Sequence, residues 1–145
     1  GWNTSTLVRD VQDGAETAGA TTEMVDLYNL AYSGCRSCFA CKRVGLDDHR
    51  CHLRDGLSPV LERARAADAL VLGSPVYFHQ VTSGLAAFME RLLFPLTTYR
   101  ADPVTFCQRQ VPTAFVYTMN VGEDLVESMR PAFGRYETLA GKNLR

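Results

Sequence analysis

Four cysteines crowd into one stretch of the chain: Cys35, Cys38, Cys41 and Cys51. Two residues separate neighbours among the first three, and nine separate Cys41 from Cys51. Cys-x-x-Cys steps let thiolates bite one metal ion or iron–sulfur cluster, and a fourth thiolate can close the site. The same spacing serves a redox pair or a group of free thiols. His49 and His52 flank Cys51 as alternative ligands. A single histidine is more often a surface or packing residue, so His49, His52 and His79 carry little weight one by one. Cys107 stands apart and reads as an ordinary packed or surface thiol.

Three further segments carry groups suited to a ligand. Trp2-Asn3-Thr4-Ser5-Thr6 offers an amide and hydroxyls at the start of a helical pattern, where free backbone N–H groups suit a phosphate. Simple helix capping accounts for it equally well. Gly73 to Ser83 holds the adjacent aromatics Tyr77 and Phe78, which can flank a flat ring or merely cover the edge of the core. Tyr117-Thr118-Met119-Asn120-Val121-Gly122 offers polar groups for the rim of such a ring, or an ordinary strand-to-helix turn. Each is weak alone. In a doubly wound sheet all three fall at the carboxyl ends of strands, where ligands bind.

The elements that must position these segments alternate. Leu7, Val11, Ala15 and Ala18 predict a helix over 5–18, closed by Gly19. Residues 22–28 alternate like a strand. The cysteine-rich stretch 33–56 keeps no period and predicts one long loop after that strand, leaving from the same sheet end as the other three segments. Ser58-Pro59 opens a second helix, and Ala67–Gly73 is a short apolar strand buried on both faces. Ser83 caps a third helix striped with Leu85, Phe88, Met89, Leu92, Leu93 and Leu96. Val111–Met119 is another strand, and 123–140 a helix that Pro131 kinks or interrupts. Strands alternating with helices predict a parallel α/β sheet. The first helix begins almost at residue 1, so a βαβ unit calls for a strand ahead of Gly1 and further chain after Arg145.

Composition bounds the function. The chain has 145 residues, 46% hydrophobic and 21% charged, which suits a single domain over 1–145. Net charge is -1, from 15 basic and 16 acidic residues, without a basic block for nucleic acid. No apolar run approaches the roughly 20 residues of a membrane span. An odd cysteine count in a chain with an ordinary core argues against a secreted disulfide scaffold and for the cytoplasm.

Asn3-Thr4-Ser5-Thr6-Leu7, Cys35-x-x-Cys-Phe-Ala-Cys-Lys, Gly-Ser-Pro-Val-Tyr-Phe and Phe88-Met-Glu-Arg-Leu together resemble the flavodoxin-like NAD(P)H-dependent FMN reductases. More narrowly, they resemble the cysteine-motif branch related to the iron–sulfur flavoproteins. The resemblance implies a doubly wound parallel sheet of order 2-1-3-4-5, with its first strand, and the last as well, outside this sequence. It implies that Asn3, Thr4, Ser5 and Thr6 bind the FMN phosphate. Pro75, Val76, Tyr77 and Phe78 would pack against and hydrogen-bond the isoalloxazine, and Thr118, Met119, Asn120 and Gly122 would border its other side. The implied activity takes a hydride from NAD(P)H onto FMN and passes electrons to a quinone, flavin, nitro compound or similar small acceptor. No catalytic triad is expected, because the cofactor carries the chemistry. The implied assembly is a homodimer or homotetramer, with no nucleic acid or membrane partner. Cys35, Cys38, Cys41 and Cys51 would be the metal ligands if a 4Fe–4S cluster were bound. The nine-residue gap is longer than in the iron–sulfur flavoproteins and favours reduced thiols. Two alternatives to the reductase follow: an electron-transfer iron–sulfur flavoprotein, and a non-enzymatic metal or redox sensor on the same scaffold.

Overall fold

The apolar run at Ala67–Gly73 grows into the strand on which the other elements hang. In the computed structural model, which describes residues 2–43, 45, 49–97 and 111–143, β1 spans Leu70–Tyr77. It starts three residues later than its sequence pattern predicts and runs on through Gly73-Ser74-Pro75. A proline forfeits only the ladder bond its own nitrogen cannot make. Thr113–Thr118 forms β3, parallel to β1, with Leu70 opposite Thr113 and Pro75 opposite Thr118. Gln80–Val81 forms β2, which returns antiparallel on the end of β1. The sheet of the described residues has the order β2-β1-β3.

The helices are α1 (Asn3–Thr17), α2 (Ser58–Ala66), α3 (Ser83–Leu93), α4 (Glu123–Phe133) and α5 (Arg135–Asn143). This is an α/β, flavodoxin-like arrangement. Leu85, Phe88, Met89, Leu92 and Leu93 of α3 are all buried and pack with Leu57, Val60 and Leu61 at and beside α2. Full burial of such a side chain stabilises by about 1.5–3 kcal/mol, so α3 is the spine of the core. Thr82, rather than Ser83, caps α3, its hydroxyl accepting the Leu85 N–H at 3.3 Å. Gly19 closes α1 in the left-handed region, φ 91°.

Three expectations need correction. β1 is not buried on both faces: Leu72 and Ser74 face the core, while Val71 and Gly73 face the side covered by α1. Residues 22–28 form no strand. They pair with nothing in the described sheet, and Leu27–Asn29 is a short 3-10 turn, with Val25 and Leu27 still resting on the core. An alternating pattern encodes a face to bury, but a strand also needs a neighbouring ladder. The last helical stretch breaks at Gly134, three residues past Pro131, where the Gly134 N–H returns to the Arg130 carbonyl at 2.8 Å. Cys107 lies outside the described residues.

Candidate functional site

At the carboxyl end of the sheet, α1 starts with Trp2 extended and no side chain capping its first turn. Asn3, Thr4, Ser5 and Thr6 all lie on that turn, whose N–H groups and positive dipole end suit an anion. The hydroxyls of Ser5 and Thr6 donate to the Trp2 carbonyl, at 2.8 and 3.3 Å. The Thr4 and Thr118 hydroxyls hydrogen-bond each other, joining the start of α1 to the end of β3. Gly73 makes this junction close, since a Cβ there would lie 2.6 Å from Val8 Cγ2 and 3.2 Å from Thr4 Cγ2.

Pro75 and Val76 are half-buried in the last turn of β1's ladder, beside Thr118. Tyr77 pairs with Gln80, so Phe78 and His79 are the two central residues of a tight hairpin. Both have positive φ, 48° and 65°, as a type I′ turn demands. Such turns favour Asn-Gly; a phenylalanine there is strained, and strain of this kind gathers at ligand sites. The Phe78 ring is fully exposed and Tyr77 largely so. Met119 is half-buried, Asn120 is exposed, and Gly122 precedes α4 as its N-cap. Tyr117 belongs to the core beneath. Its ring lies against Phe133, centroids 4.8 Å apart, and burial pushes its phenol pKa well up. The three segments therefore meet at one sheet end. An uncapped helix start, an exposed aromatic pair on a strained turn, and an exposed polar strand end fit a phosphate and a flat ring.

The cysteine segment forms a second site. Cys35, Cys38, Cys41 and Cys51 line one cleft with Phe39, His52, Glu90 and Arg91. The segment enters beside the start of α3, where the Tyr32 hydroxyl donates to the Gly84 carbonyl at 2.9 Å. It then runs along α3 away from the sheet's carboxyl end. Glu90 accepts the Cys35 N–H at 3.0 Å, through space left by Gly34, where a Cβ would lie 2.8 Å from that carboxylate. Arg91, whose side chain is 0% exposed, pairs with Asp55 at 2.6 Å. It also donates to the Ser33 and Leu53 carbonyls, each at 3.0 Å, and through Nε to Cys51 Sγ at 3.3 Å. Lys42 donates to the carbonyls of Phe94, Pro95 and Thr97, and lies 4.7 Å from the Phe94 ring centroid. Burial pushes the Cys41 thiol up, with Lys42 opposing. Burial also pushes the Lys42 ammonium down, with Cys41 opposing. At about 1.5 Å per residue, Glu90 to Pro95 lies about 9–16 Å along the helix from Gly84.

The four thiols are the right donors for a soft metal or cluster. Their placement is not: among the described residues no three His, Cys, Asp or Glu side chains converge to hold a metal ion. The cavity between them is about 20 Å³, room for about one water molecule. The residues as placed do not fit a 4Fe–4S cluster.

Sequence alone assigns no role to Asp55, nor to Lys42, Glu90 and Arg91, which stand only as letters of the cysteine and Phe88 motifs. Arg91 did leave a signal: it stands three residues after Phe88, on the helix's apolar face, where a charge must be paired.

The family model described as NADPH-dependent FMN reductase matches residues 1–140. An iron-sulfur flavoprotein of Methanocaldococcus jannaschii is 34% identical over 89 residues, which is 61% of this chain and 44% of that protein. One of Archaeoglobus fulgidus is 29% identical over 89 residues, 61% and 42% of the two chains. One of Methanosarcina thermophila is 28% identical over 91 residues, 63% and 46%. The matched stretch thus spans less than half the length of each relative. No solved structure is significantly similar.

Proposed function

This chain belongs to the NADPH-dependent FMN reductase family, and from that premise we propose that it is the FMN-binding part of an FMN-dependent oxidoreductase. It takes a hydride from NADH or NADPH and passes the electrons to a quinone, flavin, nitro compound or similar small acceptor. The observation that carries the reading is the convergence of three segments at one sheet end, the Thr4–Thr118 hydrogen bond joining the first to the third and the Pro75–Thr118 register joining the second to the third. Asn3, Thr4, Ser5 and Thr6 hold the phosphate. Pro75, Val76, Tyr77 and Phe78 lie along one side of the ring, and Thr118, Met119, Asn120 and Gly122 border the other. FMN, when bound, supplies hydride acceptance and electron release. The chain's own part is to seat it, shield one face with an aromatic surface and leave the other reachable. We place the protein in the cytoplasm as a homodimer or homotetramer. Among the described residues, no helix is long and apolar enough to cross a membrane.

Anaerobic mixing of the FMN-loaded full-length protein with NADPH or NADH tests this. Bleaching of the flavin bands and recovery on adding a quinone support it. Flavin that stays oxidised with both nucleotides refutes it and leaves the electron-transfer and sensor readings.

We read the cysteine cleft as a site of reduced thiols. A second reading is favoured by the four cysteines sharing one cleft and by the relatives' name of iron-sulfur flavoprotein. It gives the cleft a 4Fe–4S cluster, for which the thiols must turn inward and the cavity open. Iron analysis and the visible spectrum of anaerobically purified protein decide between them. Stoichiometric iron with a broad shoulder, lost in Cys38→Ser, supports the cluster.

A further inference from the structure

We propose that α3 is the template of the cysteine cleft, with Arg91 as the positioning residue that brings Cys51 to the other three thiols. The inference rests on reading the cleft as a thiol site. A nine-residue gap does not by itself bring Cys51 back to Cys35, Cys38 and Cys41. Among the described residues between Ala18 and Leu57, no strand and no helix of eight or more residues is present to do so. The segment's geometry is instead fixed from outside, mostly by side chains crossing to or from α3, with α2 adding Arg65, which donates to the His49 carbonyl at 2.7 Å, and Glu62, which pairs with Arg50 at 2.8 Å.

Arg91 is the central tie. Its guanidinium binds both arms of the loop, the Ser33 carbonyl on one and the Leu53 carbonyl, Asp55 and Cys51 Sγ on the other. A planar guanidinium offers five N–H donors in a fixed fork, so one buried side chain can hold four acceptors in one register. Lysine, with one compact ammonium, cannot reproduce that fork. Asp55 is itself tied to the loop, accepting the Leu57 N–H at 3.0 Å and the Ser33 N–H at 3.4 Å. The two flanking ties are separate. Glu90 holds the Cys35 amide. Lys42 reaches the other way, from the loop to the carbonyls just past the end of α3. Phe39 adds an edge-to-face contact with Phe94, centroids 5.8 Å apart. Each tie therefore governs a different thiol: Glu90 sets Cys35, Arg91 sets Cys51, and Lys42 sets Cys41.

This division separates positioning from general structural support. In the reduced full-length protein, stripped of iron by chelation, the alkylation rate of each cysteine is followed with a small maleimide and peptide mass spectrometry. The iron content before chelation reports on the cluster reading alone. Arg91→Lys keeps the charge and loses the fork. The expected result is a rise in the Cys51 rate of about tenfold or more, the factor for losing one hydrogen bond to a charged group, with a smaller rise at Cys35, whose arm Arg91 also holds through Ser33, and Cys41 little changed. Lys42→Met also withdraws the ammonium that favours the Cys41 thiolate, so rates are compared per thiolate, at the plateau of each pH profile: there the Cys41 rate rises and that of Cys51 does not. Should Arg91→Lys fail to fold by circular dichroism, Lys42→Met and Glu90→Ala decide by the same rule, the latter releasing Cys35 alone. Equal acceleration of all four thiols, or no change in the thiol named for each variant, overturns the proposal.

Discussion

Phe78→Gly should move two measurements in opposite directions. Phe78 sits at φ 48° with its ring fully exposed. A side chain in the left-handed region costs about 1–2 kcal/mol, and glycine removes that cost. Glycine also gives the unfolded chain more freedom, worth about 0.5–1 kcal/mol against folding. The ring buries nothing within this chain, so no packing is lost. The net effect on the flavin-free protein is between nothing and about 1.5 kcal/mol of stabilisation, or up to about 5 °C in Tm at this size. Flavin affinity should fall. An aromatic side chain has about 150 Å² to bury, and covering one face, about 75 Å², is worth about 2 kcal/mol. That corresponds to a dissociation constant about 30-fold weaker. Thermal unfolding of the apoprotein gives the first quantity and quenching of FMN fluorescence the second. Phe78→Ala separates the causes, because alanine keeps the Cβ and its strain but loses the ring: weaker FMN, unchanged Tm. If Phe78→Gly lowers Tm by several degrees and leaves FMN affinity untouched, the ring is a structural plug and the turn has no part in binding.

Gly73→Ala puts a Cβ 2.6 Å from Val8 Cγ2, and overpacking of this kind costs about 1–3 kcal/mol by urea denaturation. FMN affinity should fall with it, because α1 must back away from Thr118. Burial raises the Asp55 pKa, but hydrogen bonds from Arg91 and from the Leu57 and Ser33 amides outweigh it and hold the carboxyl below its usual value. A depressed pKa means this stability is present above about pH 4 and lost as pH falls further. Wild type should therefore lose stability on acidification more steeply than Asp55→Asn. That variant in turn should be about 3 kcal/mol less stable at neutral pH, with Arg91 left unpaired. Tyr117 runs the other way: burial, then the charge of Glu137, raises its phenol pKa. Its stabilising effect is intact below about pH 10 and lost as pH rises beyond. Alkaline difference spectra should show one tyrosine ionising only with unfolding, absent in Tyr117→Phe.

The parts of the fold legible in the sequence were those where one face meets one core. The stripe from Leu85 to Leu93 gave α3, and Gly19 gave the end of α1. What stayed hidden depends on partners distant in sequence. Residues 22–28 alternate correctly, yet alternation says nothing about whether a ladder stands beside them. The run from Ala67 was apolar enough for a doubly buried strand, yet Val71 and Gly73 on one face of β1 stay exposed beside α1. The meeting of the Pro75 and Thr118 segments was legible because each ends a strand, and the parallel register then brings the two together. The strain at Phe78 was not, since Tyr-Phe-His-Gln carries none of the Asn-Gly chemistry that announces a hairpin. The cysteine spacing correctly implied one cleft. It left open what orients the thiols, because spacing shows reach and not direction. Direction comes from a charged residue on the apolar face of another element. Such a residue is detectable in advance as a violation of the helix pattern, because a buried guanidinium must find acceptors, and Arg91 finds them in the one loop that carries the thiols.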